Sequence, residues 1–157
     1  MTRLPLSFGV RSQQGSRSRV PSSLIIDLLA GPLSVCRLAA GAPIPAWATA
    51  AAFFTVTRTA DELSLICATD RVPDGVTASG GWRALKIVGP FDLAEIGILL
   101  RVAAPLAAAG VSILPVATYD TDYVLVRAPQ LAAAVAALRG DGHELRMPEA
   151  LTDAPAI

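Results

Sequence analysis

The chain has 157 residues, of which 53% are hydrophobic and 17% are charged, and its formal net charge is zero. A chain of this length is expected to form one compact unit, or two small units with a shared core. The charge balance argues against a nucleic-acid partner, which binds best to a basic surface. With one histidine and no Cys-x-x-Cys pair, a zinc-type metal site is not expected.

The two ends of the chain differ in composition from the middle. Residues 1–23 contain four arginines, no acidic residue and no continuous apolar core of the kind that a secretory signal requires, so they are predicted to be a flexible basic leader. Residues 148–157 are predicted to be a tail. Because Cys36 and Cys67 are expected to be buried thiols rather than a disulfide, a reducing, cytoplasmic location is the favoured one.

Two long uncharged stretches, residues 38–57 and 102–119, raise the question of a membrane span. A spanning helix needs about 20 mainly apolar residues. Prolines and glycines interrupt both stretches and leave each continuous part shorter than that. We therefore expect no membrane partner.

The first half of the chain predicts short strands and little helix. Residues 33–38 are typical of a strand, and residues 43–52 form a Pro-Ala connection with one helical turn around Trp47. Residues 53–59 alternate apolar and polar side chains, which is typical of a half-buried strand. Residues 62–68 complete a hairpin with it. A turn is predicted at residues 73–75, where proline presets φ and glycine accepts a positive φ.

The second half predicts longer elements. A strand over residues 82–88 precedes a helix over residues 92–109, with Asp92 as its N-cap and Glu95 as a capping-box partner. Pro105 should kink this helix, since proline removes a backbone donor. A hairpin follows, with strands over residues 111–118 and 122–127. Pro129 is well placed as the first residue of a second helix that ends at Gly140, and residues 144–147 predict a last strand.

This order, β-α-β-β-α-β, predicts an α+β protein with a ferredoxin-like fold. Residues 56–66 also align with residues 116–126, sixty positions later, and both segments have the pattern strand, acidic turn, strand. The sequence therefore predicts two tandem copies, over residues 24–80 and 81–147. The first copy is degenerate because it lacks a long helix between its first two strands.

Three segments of the second half resemble the ACT-domain family: Gly-Pro-Phe-Asp-Leu-Ala-Glu-Ile-Gly at 89–97, residues 104–112, and residues 117–126 with the specific run Thr-Tyr-Asp-Thr-Asp-Tyr. More narrowly, they are similar to small bacterial tandem-ACT proteins related to cytosolic arginine sensors and to aspartate-kinase regulatory domains. The resemblance covers about residues 33–143 and is weaker in the first half. It implies a non-catalytic protein that pairs side by side as a homodimer and binds an amino acid at an interface between ACT domains.

The resemblance also implies where the ligand would bind: the loop that leads into the first helix, and the facing hairpin. A helix start offers free N–H groups to an α-carboxylate, and Asp122 or Asp92 could accept hydrogen bonds from the ammonium group. Gly97 would allow close approach to the helix backbone. The candidate ligand-binding residues are Asp92, Glu95, Ile96, Gly97, Ile98, Thr118, Tyr119, Asp120, Thr121 and Asp122.

Each of these residues also has a purely structural interpretation. Asp92 can simply cap the helix, and Asp92 and Glu95 place negative charge where a carboxylate would land. If the side chains of Asp92 and Glu95 do not point away from the binding site, the site is expected to prefer a cationic ligand group. Asp120 and Asp122 could bind Mg²⁺ but are equally typical of a turn. His143 follows a helix-stop glycine and is expected to be exposed.

The sequence gives little reason to expect an enzyme, because the chain has no nucleophile elbow, no P-loop and no dinucleotide-binding glycine motif. The favoured function is amino-acid-binding regulation without a cofactor. The alternative is a regulatory or protein-interaction subunit that binds no ligand. A third hypothesis, a small enzyme, would need a pocket with perturbed carboxylates around Asp120 and Asp122.

Overall fold

The computed structural model describes residues 22–148. These residues form one eight-stranded sheet with two α-helices, so the α+β class is confirmed. The strands are β1 Ile25–Leu28, β2 Leu33–Leu38, β3 Thr55–Arg58, β4 Leu63–Ala68, β5 Ala78–Ile87, β6 Ile113–Ala117, β7 Asp122–Arg127 and β8 Glu144–Arg146. The helices are α1 Ile98–Ala108 and α2 Leu131–Gly140. No helix among residues 22–148 combines the length and the apolar character that crossing a membrane requires.

The ten-residue strand β5 holds the sheet together. Its first part pairs with β2, where Leu33 lies opposite Trp82. Its second part pairs on the same edge with β1, where Ile26 lies opposite Ile87. The other edge of β5 pairs with β7. Since β5 crosses the predicted boundary at residue 80, hydrogen bonding in the sheet is continuous from one half of the chain to the other.

The second half has the element order that its sequence predicts, with one addition. Its strands lie in the order β6-β7-β5-β1-β8. Strand β1, which the sequence pattern did not predict, lies antiparallel to β5 and parallel to β8, with Ile26 opposite Leu145. The side chain of Ile26 is fully buried. The second half is therefore completed by a strand from the beginning of the described chain.

The first half has the strand order β3-β4-β2-β5 and contains no α-helix among its described residues. A 3₁₀ turn, Ala46–Thr49, covers one face of these strands where Trp47 was predicted to lie on a helical turn. Cys36 and Cys67 lie beneath it as free, buried thiols, as predicted. The turn at residues 73–75 is also confirmed, with Gly75 at φ +83°.

Both α-helices begin later than the sequence predicts. Helix α1 starts at Ile98, not at Asp92, because Gly97 with φ +91° separates the preceding turns from the helix. Helix α2 starts at Leu131, after a 3₁₀ turn, Ala128–Gln130, so that Pro129 is not the first residue of the α-helix. Ile98, Val102 and Leu106 form the buried side of α1.

Pro105 lies inside α1, where it cannot donate the backbone hydrogen bond that the Arg101 carbonyl would normally accept. The His143 ring supplies the missing donor, with Nε2 at 3.2 Å from that carbonyl oxygen. On its other side, Nδ1 accepts a hydrogen bond from the Leu24 N–H at 3.2 Å, which places the ring proton on Nε2. The prediction of an exposed His143 is wrong: the residue is 4% exposed. It fastens α1 to the start of β1.

The two faces of the sheet carry different clusters. In the second half, one face packs against α1 and α2 through residues such as Leu85, Ile87 and Val124. The opposite face contributes Ala84 and Leu125 to a cluster with Leu33 and Ile66 of the first half. The two halves are thus joined by packing as well as by β5.

Replacing His143 with Phe tests the histidine bridge, because it keeps a ring but leaves the Leu24 N–H and the Arg101 carbonyl without partners. We expect a loss of about 2–4 kcal/mol in the free energy of unfolding, measured by urea denaturation. In a Pro105→Ala background the backbone N–H restored at position 105 can bond to the Arg101 carbonyl, so the same change should cost about 1–2 kcal/mol less. Arg139→Ala, on the exposed end of α2, is the control, and equal costs in both backgrounds would contradict the bridge.

Candidate functional site

The loop between β5 and α1 is fixed against the β6–β7 turn by its backbone. The Phe91 N–H donates to the Asp120 carbonyl at 2.9 Å. The Gly89–Pro90 peptide bond, just before it, is cis. A Cβ on Gly89 would lie 2.6 Å from the same Asp120 carbonyl oxygen. A side chain at position 89 is therefore incompatible with this close approach of loop and turn.

The β6–β7 turn is closed by two threonines. The Thr118 N–H donates to the Thr121 carbonyl at 2.9 Å, and the Thr118 hydroxyl donates to the same carbonyl at 2.6 Å. The Thr121 hydroxyl, which is buried, donates to the Ile87 carbonyl at the end of β5. These bonds hold Tyr119 and Asp120 at the tip of the turn, beside the loop that leads into α1.

Helix α1 begins beside this turn without a side-chain cap. Gly97 occupies the N-cap position, and its carbonyl accepts the first helical hydrogen bond, from the Arg101 N–H at 3.1 Å. The N–H groups of Ile98, Leu99 and Leu100 come before that bond and have no acceptor within the helix. An uncapped helix start of this kind can bind a carboxylate.

Loop, turn and helix start enclose an open cleft of about 390 Å³. The sequence prediction that these two segments lie together is therefore correct. Nine of the ten candidate residues line the cleft: Asp92, Glu95, Gly97, Ile98, Thr118, Tyr119, Asp120, Thr121 and Asp122. The tenth, Ile96, does not line it and is 85% exposed.

The cleft is acidic. Asp92, Glu95, Asp120 and Asp122 line it, and none of its lining residues, all in the described part of the chain, is basic. Carboxylates at this density attract a cationic group. The groups in the cleft best suited to an anion are the backbone amides at the start of α1. The arrangement thus offers one position for a carboxylate and several for ammonium or guanidinium groups.

The structural role predicted for Asp92 is corrected. Asp92 lies six residues before α1 and does not cap it. Its Oδ1 accepts the Ala94 N–H at 2.8 Å, and its carbonyl accepts the Glu95 N–H at 2.9 Å, so it closes a separate turn. Glu95 is likewise not a capping-box partner of α1, because it also precedes the helix. Sequence spacing alone did not show that Gly97 divides the segment.

Sequence reasoning missed five apolar residues that line the cleft, two of which are strongly exposed leucines. Leu93 and Leu100 line it and are 71% and 68% exposed, beside Tyr119 at 79%. Ile96, in the same loop as Leu93, is also exposed, and we name these four apolar residues the rim patch (Leu93, Ile96, Leu100 and Tyr119). Leu93 and Ile96 lie in the segment that the sequence pattern assigned to the helix, so that pattern did not mark them as loop residues.

Other candidate chemistry is limited in the described residues. No group of three or more metal-ligating side chains occurs among residues 22–148, so Asp120 and Asp122 have no further protein ligands to complete a cation site there. Burial raises the pKa of the Cys36 thiol, and it raises the pKa of the Cys67 thiol to about 11. Both cysteines are therefore protonated at neutral pH and poor nucleophiles.

Comparison with known proteins points to one family. The family model of the ACT domain matches residues 77–140, which include both segments of the cleft, and a second model, of an N-terminal domain, matches residues 31–75. No curated protein matches the chain by sequence.

Several solved structures are similar. An Agobacterium tumefaciens protein from a structural-genomics programme is 39% identical over 81% of this chain and 95% of its own, with a TM-score of 0.77. A Vibrio cholerae protein of unknown function, described as a possible transport protein, is 20% identical over 76% of this chain and 91% of its own, with a TM-score of 0.62. The regulatory subunit of aspartate kinase from Thermus thermophilus is 13% identical over 74% of this chain and 93% of its own, with a TM-score of 0.52, and shares the fold.

Gly89→Ala tests whether the close approach of loop and turn shapes the cleft. The new Cβ would meet the Asp120 carbonyl, so the loop must move, at a cost of about 1–3 kcal/mol in the free energy of unfolding. Gly140→Ala is the matched control, since a Cβ there meets nothing within 4 Å. NMR amide shifts should change at Phe91 and Asp120 in the first variant only. Unchanged shifts at those two residues would refute the contact.

Proposed function

Because the chain belongs to the ACT-domain family, we propose that it is a non-catalytic regulatory protein whose acidic cleft binds a free amino acid. The observation that carries this proposal is the meeting of an uncapped helix start with four carboxylates in one cleft. The backbone amides of α1 would bind the α-carboxylate, and Asp122 or Asp92 would accept hydrogen bonds from the α-ammonium group.

The charge of the cleft favours a particular class of amino acid. An α-ammonium group needs one carboxylate partner, and the remaining acidic side chains favour a second cation on the ligand. We therefore propose an amino acid with a basic side chain, bound in the cytoplasm. The competing function, a regulatory or interaction subunit without a ligand, predicts that no amino acid stabilises the protein.

The tandem organisation is part of the same proposal. We propose that residues 24–80 and 81–147 are two ACT-like copies, the first of them degenerate. Two observations support this: hairpins β3–β4 and β6–β7 occupy the aligned segments sixty positions apart, and strands β2 to β5 and strands β5 to β8 each have an order in which the first strand lies beside the third. The order is β5-β2-β4-β3 in the first half. In the second half the same order is interrupted only by β1.

The rim patch supports a homodimer in which two cleft-bearing faces meet, with the ligand at the interface. Its four side chains are between 68% and 85% exposed, and large apolar side chains grouped in this way are typical of interaction surfaces. Contact between two copies would bury them and narrow the open side of each cleft. Ligand binding would then favour the dimer, because paired chains would bind the ligand more tightly than separate chains do.

A panel of the twenty amino acids, tested by thermal shift on the full chain, is the experiment that decides binding. At a ligand concentration 100 times Kd, stabilisation should be roughly 2.7 kcal/mol, and arginine or lysine should give the largest shift. Asp122→Asn should weaken binding at least about tenfold by removing a charge-assisted hydrogen bond. Asp74→Asn, the same change in the exposed turn at residues 73–75, is the control, and a flat panel would support the ligand-free alternative.

Ile96→Glu tests the homodimer without altering a residue that lines the cleft. A charge at this position should be driven out of an apolar interface, so the variant should sediment as a monomer where the unaltered chain sediments as a dimer. Ile44→Glu, at a 51% exposed isoleucine of the first half, is the matched control and should leave the dimer intact. If the unaltered chain is itself monomeric at micromolar concentrations, the pairing proposal fails.

A further inference from the structure

A second recess, separate from the acidic cleft, lies where the two halves meet. It has a volume of about 620 Å³ and shares no lining residue with the cleft. Its walls come from the link between β1 and β2, from residues 51–53, from the end of β4, and from Lys86 and Tyr123. This volume is within the range of small-molecule sites, and most of its lining is apolar. We name it the junction cavity.

Lys86 gives the junction cavity its charge. It is the single lysine of the chain and is half-buried on β5, on the face opposite α1 and α2. Its ammonium group has neither an ion-pair partner nor a hydrogen-bond acceptor among residues 22–148. A cation in a recess of mostly apolar walls is costly until an acceptor reaches it. An anionic group entering the cavity would supply that acceptor.

The acidic groups nearby leave this position open. Asp27 lies directly across from Lys86 in the sheet but forms no ion pair with it in the described structure, and it is not part of the cavity lining. Asp70 does line the cavity, but its side chain is 80% exposed and lies 4.0 Å from the Arg71 guanidinium. Its charge is therefore largely screened by solvent and by that neighbour.

The rest of the cavity suits a hydrocarbon or aromatic group. The rings of Phe53, from the first half, and Tyr123, from the second, lie with their centroids 4.8 Å apart and their planes at 44°. Leu29, Leu33 and Ala51 extend this apolar wall. A flat or branched apolar group could pack against the ring pair while its anionic end reached Lys86.

We propose that the junction cavity binds a small apolar monocarboxylate, whose carboxylate accepts hydrogen bonds from the Lys86 ammonium group while its body packs on Phe53 and Tyr123. This goes beyond the amino-acid cleft and does not depend on it, since the chemistry required is the opposite. The cleft is acidic and has no basic lining residue, whereas the cavity is mostly apolar with one unpaired cation. A ligand there would contact both halves of the chain.

The probe is 3-phenylpropanoate, with 3-phenylpropanol as a matched molecule that lacks the charge. Binding is measured on the full chain by isothermal calorimetry and by NMR amide shifts. We expect the acid to bind and the alcohol to bind at least about tenfold more weakly, because it lacks the charge-assisted hydrogen bond. Shifted amides should include those of Gly31, Ala52 and Phe53. Failure of the acid to bind, or shifts confined to the acidic cleft, would overturn the proposal.

Variants assign the two parts of the site. Lys86→Met should weaken the binding of 3-phenylpropanoate at least about tenfold, whereas Lys86→Arg should retain it. Arg71→Met, at an exposed neighbouring cation, should leave that binding unchanged. Ala52→Trp fills the cavity from an exposed wall position and should abolish binding even if Lys86→Met does not fold. Binding unchanged in Ala52→Trp, or in a folded Lys86→Met, overturns the assignment. Asp122→Asn should leave the binding of 3-phenylpropanoate intact while it weakens amino-acid binding, so the two proposals can fail independently.

Discussion

The pairing of β5 with three other strands is the constraint on which the rest of the molecule depends. One edge of this strand bonds first to β2 and then to β1, and the other edge bonds to β7. Each half of the chain therefore takes its sheet geometry from the same ten residues. Arg127 of β7 strengthens the junction, because it stacks over Trp82 at 4.0 Å and donates to the Gly80 carbonyl and to Ser79.

Both candidate binding regions are placed by this strand. The acidic cleft begins where β5 ends, since the Thr121 hydroxyl bonds to the Ile87 carbonyl and Gly89 lets the following loop reach the turn. The junction cavity lies against the second part of β5, at Lys86. One strand thus adjoins two recesses of opposite charge that share no lining residue. Regulation by two chemically distinct ligands would need no additional domain.

The sequence predicted local features well and long-range ones poorly. The hairpin at residues 111–127 follows from alternation and an acidic turn, and nine of the ten candidate residues do line one cleft. The start of α1 was misplaced because Asp92 and Glu95 match a capping box, whereas Gly97, with φ +91°, separates their turn from the helix. The burial of His143 could not be predicted from its neighbours, because its partners, Leu24 and Arg101, are distant in sequence. Strand β1 was missed for the same reason, because its four residues form a strand only by pairing with the distant strands β5 and β8.

The position of β1 has a consequence for how this protein can be divided. The match to the ACT-domain model covers residues 77–140, yet the sheet of the second half also contains β1 and β8, which both lie outside the match, and β1 pairs with β5 and β8. A fragment cut at the limits of the match would lack both β1 and β8 and would expose the edge of β5 that pairs with β1. The smallest piece that retains every strand of this sheet in sequence therefore runs from the start of β1 to the end of β8. Modular exchange of the matched segment between related proteins would transfer both helices but leave two strands of the sheet behind, β1 and β8.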